Sequence, residues 1–298
     1  MHVSSARARL LATSLLLAAP LAPACGDDDA GGTLGSESAS ASETDASTTA
    51  TTSDPGATAS DAGDGDGDGD GWLSECPNVV PTGALGIVTD SEINEASGLA
   101  ASRSQPGVVW VHNDSGDAPR LFALSDAAVV VGEYSLDGAL ALDWEDMAIG
   151  PGPTPGDWLY VGDIGDNAEA RPWITVYRVP EPTVQGAGGE PVALSGVEAI
   201  ELQYPDTPHN AETLLVDPIS GDLLIVTKGE ETRLFQLPAP LAAGGPYTLV
   251  EVPALSFPSA VATGGDVSPL GDFVIVRTYS DAYLWLRAQG GALADALA

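Results

Sequence analysis

The chain has 298 residues, 43 of them acidic against 10 Lys and Arg, and a formal net charge of −33. A charge of that size repels nucleic acid and anionic lipid headgroups, and suits cations, basic partners or plain solubility. No G-x-S-x-G elbow, P-loop or H-E-x-x-H pattern occurs in the sequence, which removes the commonest hydrolase, nucleotide and zinc-protease readings.

The N-terminus carries Arg7 and Arg9 with no acid, then a 12-residue apolar run from Leu10 to Leu21. That is the layout of an export signal, and the run is too short to span a bilayer as a helix. Leu21-Ala22-Pro23-Ala24-Cys25 follows and resembles a lipobox, with Ala22 where such boxes favour Leu. Residues 1–24 are therefore expected to be a lipoprotein signal peptide, and Cys25 the lipidated first residue of the mature chain, anchored to a membrane by its acyl chains. The plain alternative is an ordinary cleaved signal with an incidental cysteine. Enteric lipoproteins with Asp directly after the cysteine stay on the inner membrane. Gly26 lacks that mark, so the resemblance implies a cell-envelope protein on the outer rather than the inner membrane.

Residues 25–75 are mostly Ser, Thr, Ala, Gly and Asp, with 13 acids and no base. Such a segment cannot bury enough surface to fold and reads as a disordered acidic tether, with a reach of roughly 40 Å. Within it, Asp64, Asp66, Asp68 and Glu75 fall at positions 1, 3, 5 and 12 of a calcium-loop pattern, with Gly69 at position 6. Position 8 is Gly71 and no amphipathic helix flanks the loop, so the default is a solvated Asp-Gly linker. If Cys25 is acylated, Cys76 has no internal partner.

Residues 76–298 hold 8 basic against 30 acidic residues and form the expected folded domain. Short apolar runs such as Val108-Val-Trp-Val111, Trp158-Leu-Tyr-Val161, Leu223-Leu-Ile-Val226 and Phe273-Val-Ile-Val276 sit between Gly, Pro, Asp and Asn. They read as buried strands, and no segment sustains a helical period, so the fold class is all-β. The runs recur in one order: acidic start, Gly turn, apolar strand, polar loop. The starts at Glu95, Asp143, Asn210 and Gly264 are 48, 67 and 54 residues apart. Repeats of that size, each a small sheet unable to bury both faces alone, predict a β-propeller with four recognisable blades, with a β-sandwich as the competing fold.

Glu95-Ala-Ser-Gly-Leu99, His112-Asn-Asp-Ser-Gly-Asp117, Asp143-Trp-Glu-Asp146, Asp163-Ile-Gly-Asp-Asn167, Asn210-Ala-Glu212, Gly264-Gly-Asp266 and Arg277-Thr-Tyr-Ser-Asp-Ala-Tyr283 together resemble a group of uncharacterised secreted bacterial β-propellers. The group is distantly similar to phytase-like and SdiA-regulated-type propellers, and the likeness covers about residues 85–290. It implies a strand at Leu85-Gly86-Ile87-Val88 that closes a last blade, and a further repeat that is not found before Ala298. The expected ring therefore either closes with few blades or is incomplete and open.

Blade topology predicts that Glu95, Asp143, Glu145, Glu212 and Asp266 point to a central channel. Asp114, Asp117, Asp163, Asp166, Asn167, Lys228, Arg277 and Asp281 should rim it. Convergent carboxylates need a partner, and Ca2+, which takes six to eight oxygens, is the natural one. Glu95, Asp114, Asp117, Asp143, Glu145, Asp163, Asp166, Asn167, Glu212 and Asp266 are the candidate metal ligands. The alternative is that these side chains cap turns and strand ends. His112, His209, Lys228, Arg277, Tyr279 and Asp281 complete the ligand-face candidates; no catalytic residue is assigned. Two functions stay open at this point. One is a membrane-anchored binding propeller for a cation, small molecule or protein. The other is a calcium-dependent hydrolase, phosphoesterase or glycan-acting.

Overall fold

A computed structural model describes residues 21–23, 72–73, 86–186, 189–253, 257 and 261–298. The chain divides into Met1–Cys25 with Trp72–Ala298, and Gly26–Gly71. Cys25, the calcium-loop candidates Asp64, Asp66, Asp68 and Glu75, and Cys76 all lie outside the described residues.

The described chain is built from strands, with one short helix, α1 (Leu293–Leu297), near its end. Four antiparallel meanders follow one another. The first comprises β2 (Ala96–Ala101), β3 (Val108–Asn113), β4 (Arg120–Ser125) and β5 (Val130–Leu136), and the second β6 (Trp144–Pro151), β7 (Asp157–Asp163), β8 (Ile174–Pro180) and β10 (Glu198–Gln203). The third is β11 (Ala211–Val216), β12 (Leu223–Thr227), β13 (Leu234–Leu237) and β15 (Val250–Val252), and the fourth β16 (Gly264–Val267), β17 (Phe273–Arg277) and β18 (Ala282–Leu286). The innermost strands β2, β6, β11 and β16 begin within a residue of the four starts read from the sequence. The architecture is a four-bladed propeller.

Three short strands extend these sheets in parallel. β9 (Val192–Leu194) joins β5, β14 (Gly244–Thr248) joins β10, and the backbone of β1 (Leu21–Pro23) joins β18. In blades 2 and 3 the segment between the third and fourth strands thus adds an outer strand to the preceding blade, and β1 from the N-terminal side does the same for blade 4. Leu85 lies outside the described residues, and Gly86, Ile87 and Val88 form no strand. Gly86 instead packs at Ala127 and Ala128, in the turn between β4 and β5. The expected closing strand is therefore corrected to an irregular strap on blade 1.

Why the strands read as continuous apolar runs is visible in their packing. A blade inside the ring has a neighbour on both faces, so both faces must be apolar. On β7, Tyr160 enters the core between blades 2 and 3 while Leu159 and Val161 enter the core between blades 1 and 2. On β12, Leu223 and Ile225 face blade 2 while Leu224 and Val226 face blade 4. Each such side chain stabilises the ring by about 1.5–3 kcal/mol relative to exposure. Leu293, Ala294 and Leu297 of α1 complete the core between blades 3 and 4.

No comparable apolar core joins blade 4 to blade 1 among the described residues. The blades meet there through polar contacts, with Arg103 Nη2 donating to Val267 O at 3.3 Å. Across the hub, Asp146 of β6 uses one carboxylate oxygen, Oδ2, to accept the N–H of Leu214 at 2.9 Å and of Gly265 at 3.1 Å. One buried acid of blade 2 thereby holds the inner strands of blades 3 and 4.

A candidate cation site at the mouth of the channel

The entry to each inner strand and the loop between the second and third strands of each blade share one face. On that face, carboxylate oxygens of Asp114, Asp143 and Glu145 lie within 4.8 Å of one another. Asp114 comes from the β3–β4 loop, Asp143 from the connector into β6, and Glu145 from β6 itself. A register shift between β6 and β7 at Trp144/Asp146 leaves Glu145 as the extra residue of a bulge, while Trp144 before it turns into the core of blades 1 and 2.

Glu145 is only 5% exposed, and its carboxylate accepts no hydrogen bond among the described residues. Burial, reinforced by the charges of Glu212, Asp114 and Asp143, pushes its carboxyl up to about 9. Burial and the neighbouring Asp114 also raise Asp143. Gly165 forms the wall behind both. A Cβ at that position would overlap Glu145 Oε1 and lie 2.5 Å from Asp143 Oδ2. The glycine of Asp163-Ile-Gly-Asp-Asn167 thus leaves the space that the two carboxylates fill.

The remaining acidic candidates are engaged elsewhere. Asp163 is buried, accepts the N–H groups of Leu142 and Asp143, and pairs with Arg171 at 2.8 Å. Asp166 accepts the Arg171 N–H at 2.7 Å, and its own N–H donates to Asn210, which also reaches Asn167. Asp117 is held by Arg120 and Asn113, and these bonds lower its carboxyl against the opposing effect of burial. Glu212 pairs with Lys228. Glu95 is exposed, with Asp114, Asp117, Glu92 and Arg120, on a polar cleft of about 340 Å³ beside the mouth. Asp266 lies away from the channel, in β16 near Arg103; burial raises its carboxyl, opposed by the Val267 N–H and Arg103.

Among the other candidates, Lys228 donates to Glu212 and to the Tyr279 hydroxyl at 2.6 Å, with Nζ 4.9 Å from that ring's centre. Tyr279 and Arg277 are exposed, and Asp281 accepts from Ser280. His112 is not on the face. It is fully buried between blades 1 and 2, edge-on to Trp144, with Nδ1 2.8 Å from Asn113 O, and burial lowers its pKa. Gly98 is required beside it, because a Cβ there would collide with the imidazole. His209 sits on blade 3 with Asp206 and Arg233, stacked on Phe235. Asp146 escaped the sequence reading as a site residue. The signal was present, since an acid directly before Met147-Ala-Ile149 enters a strand that is apolar from there on.

No protein-family model matches the chain, and no curated protein matches it. Solved structures similar to it include a chain of the mitotic checkpoint complex, 13% identical, with TM-score 0.36, covering 65% of this chain and 51% of its own. The Dos1 propeller is 11% identical, with TM-score 0.37, covering 64% of this chain and 44% of its own. This chain therefore spans about half the length of those structures.

Proposed function

We propose that this protein is a lipid-anchored, extracytoplasmic propeller of the cell envelope that displays an acidic face and holds a divalent cation between Asp114, Asp143 and Glu145. The observation that carries this is Glu145: a buried carboxylate that accepts no hydrogen bond among the described residues, facing two further carboxylates. Bringing such groups together without a counter-charge is costly. A hard cation relieves that cost, and three carboxylates offer up to six oxygens, matching the preference of Ca2+. The sequence supports the anchor: Arg7, Arg9, the apolar run and Cys25 are followed by 13 acids without a base, a composition suited to holding a domain off a membrane.

Calorimetric titration of residues 26–298 with CaCl2 tests the cation site. Saturable binding that is weakened at least about tenfold in Glu145→Gln is expected; no heat and no shift in Tm would overturn it. Metabolic palmitate labelling tests the anchor separately. The full-length chain should incorporate label and Cys25→Ala should not.

A further inference from the structure

Beside the three carboxylates lies an apolar ledge that the fold does not bury. Leu140, Leu142 and Trp173 are 60, 61 and 50% exposed. Leu140 and Leu142 belong to the connector that crosses from β5 of blade 1 to β6 of blade 2. That connector is fixed from beneath by polar bonds. The Leu140 N–H donates to the Tyr177 hydroxyl at 3.1 Å, its carbonyl accepts from Trp144 Nε1 at 2.9 Å, and the Leu142 N–H reaches Asp163 at 3.4 Å. Ala141 between them turns to the core, so both leucines are held outward. Trp173 enters from the other side of Asp163. Thr175 pairs with Asp163 across β7 and β8, and Trp173 precedes it by two positions on the same strand face.

The ledge adjoins carboxylates whose nearby bases, Arg171 beside Asp143 and Lys228 beside Glu145, act on them only through space and are each paired with another acid. Among the described residues, none of Asp114, Asp143 and Glu145 forms an ion pair, whereas Arg171 is engaged by Asp163 and Gly165 O, and Lys228 by Glu212 and Tyr279. A surface joining exposed apolar side chains to carboxylates that form no ion pair among the described residues complements a partner that presents the opposite pair.

We propose that this ledge and the carboxylate cluster form one docking surface for a peptide segment of a partner protein. In that segment a lysine or arginine is flanked by large apolar side chains. The cationic head enters between Asp114, Asp143 and Glu145, and the apolar neighbours lie on Leu142 and Trp173. The proposal rests on the reading that the cluster takes cations, and it makes Ca2+ and the peptide competitors.

The test is an amide chemical-shift titration of the ¹⁵N-labelled full chain with Ac-Leu-Lys-Leu-NH2, Ac-Leu-Gln-Leu-NH2 and Ac-Gly-Lys-Gly-NH2, and separately with CaCl2. The first peptide should shift the amides of Leu142, Asp143 and Gly165 and the Trp173 indole saturably, and Ca2+ should displace it. The glutamine and glycine peptides should bind about tenfold more weakly. The double variant Leu142→Ser/Trp173→Ser should lose the preference for the leucine peptide while keeping Ca2+ affinity. Calcium binding without saturable peptide shifts, or equal binding of the leucine and glycine peptides, would overturn the docking surface and leave the cation site standing. Peptide binding with the stated preference but no calcium binding would uphold the docking surface and remove the metal.

Discussion

Replacing Asp146 by Asn separates its two roles in the hub, hydrogen-bond acceptor and titrating group. In the folded chain burial pushes the Asp146 carboxyl up to about 8, against the N–H groups of Leu214, Met147 and Gly265 and the charge of Arg277. A carboxyl raised above its unfolded value stabilises the fold fully below the unfolded value, and that stability is lost as pH rises toward the folded value. Each bound proton is worth about 1.4 kcal/mol per pH unit, so between pH 5 and pH 7 Asp146 alone costs about 3 kcal/mol. Glu145, raised to about 9, adds a similar loss in the same window. Asparagine keeps the carbonyl oxygen that accepts from Leu214 and Gly265 and carries no charge at any pH. Urea unfolding of residues 26–298 in EDTA, followed by circular dichroism at pH 5, 6 and 7, measures the slope. The parent should lose about 3 kcal/mol more than Asp146→Asn over that range. Asp146→Ala should be destabilised at every pH, because two buried N–H groups lose their acceptor at about 1–3 kcal/mol each. An Asn variant with the parent's slope would refute the assignment of a buried, protonated hub acid.

Three other outcomes follow from neighbouring geometry. Gly165→Ala places a methyl against Glu145 and Asp143; overpacking should cost about 1–2 kcal/mol, and Ca2+ affinity should fall at least about tenfold by calorimetry. Arg287→Ala strands the buried Asp217, now 2.8 Å from Arg287 Nη1, and should cost about 3–5 kcal/mol in urea unfolding. Calcium at 100 times its Kd should stabilise the parent by about 2.7 kcal/mol at pH 7. Because a bound cation keeps Glu145 ionised in the fold, calcium should also remove that residue's share of the pH slope.

The blade starts were legible because an inner strand must be preceded by a polar turn and followed by a run that is apolar on both faces, and both marks repeat. The individual roles of the acids were not legible. Asp163 and Asp143 carry the same residue type and both begin or end a strand at the channel mouth. Only three-dimensional neighbours distinguish them, since Arg171 arrives eight residues after Asp163 to pair with it, while Asp143 and Glu145 form no ion pair among the described residues. The same limit applied to Asp266, whose place in the fourth repeat matches Glu145 in the second. A glycine pair replaces the bulkier start in β16, and the strand brings Asp266 toward Arg103 of blade 1 instead of the channel. His112 looked like a loop residue because Asn113-Asp114-Ser115-Gly116 follows it. Its burial depends on the missing side chain of Gly98, a contact between two strands that no local pattern encodes.

The join between blades 4 and 1 explains where the N-terminal segment must act. Blades 2 and 3 are sandwiched, but blades 1 and 4 each turn one face to a join without an apolar core among the described residues. On blade 1, Val111, Phe122 and Leu124 belong to none of the three inter-blade cores yet are 2, 1 and 4% exposed. The strap beginning at Gly86 packs on this blade: Arg120 pairs with Glu92, and Asn113 bonds both Glu92 and Glu95. On blade 4, Trp72 Nε1 donates to Arg287 O at 3.2 Å and the Leu73 N–H to Asp272 at 2.9 Å. The chain therefore grips blade 4 at residues 72–73 and blade 1 from residue 86, on the two sides of the weakest join. If residues 26–71 are a membrane tether, a pull on it reaches the propeller first through Trp72 and Leu73. Those contacts divert the load into blade 4, whose Arg287–Asp217 pair ties it to blade 3, and so keep it off the join that lacks an apolar core among the described residues.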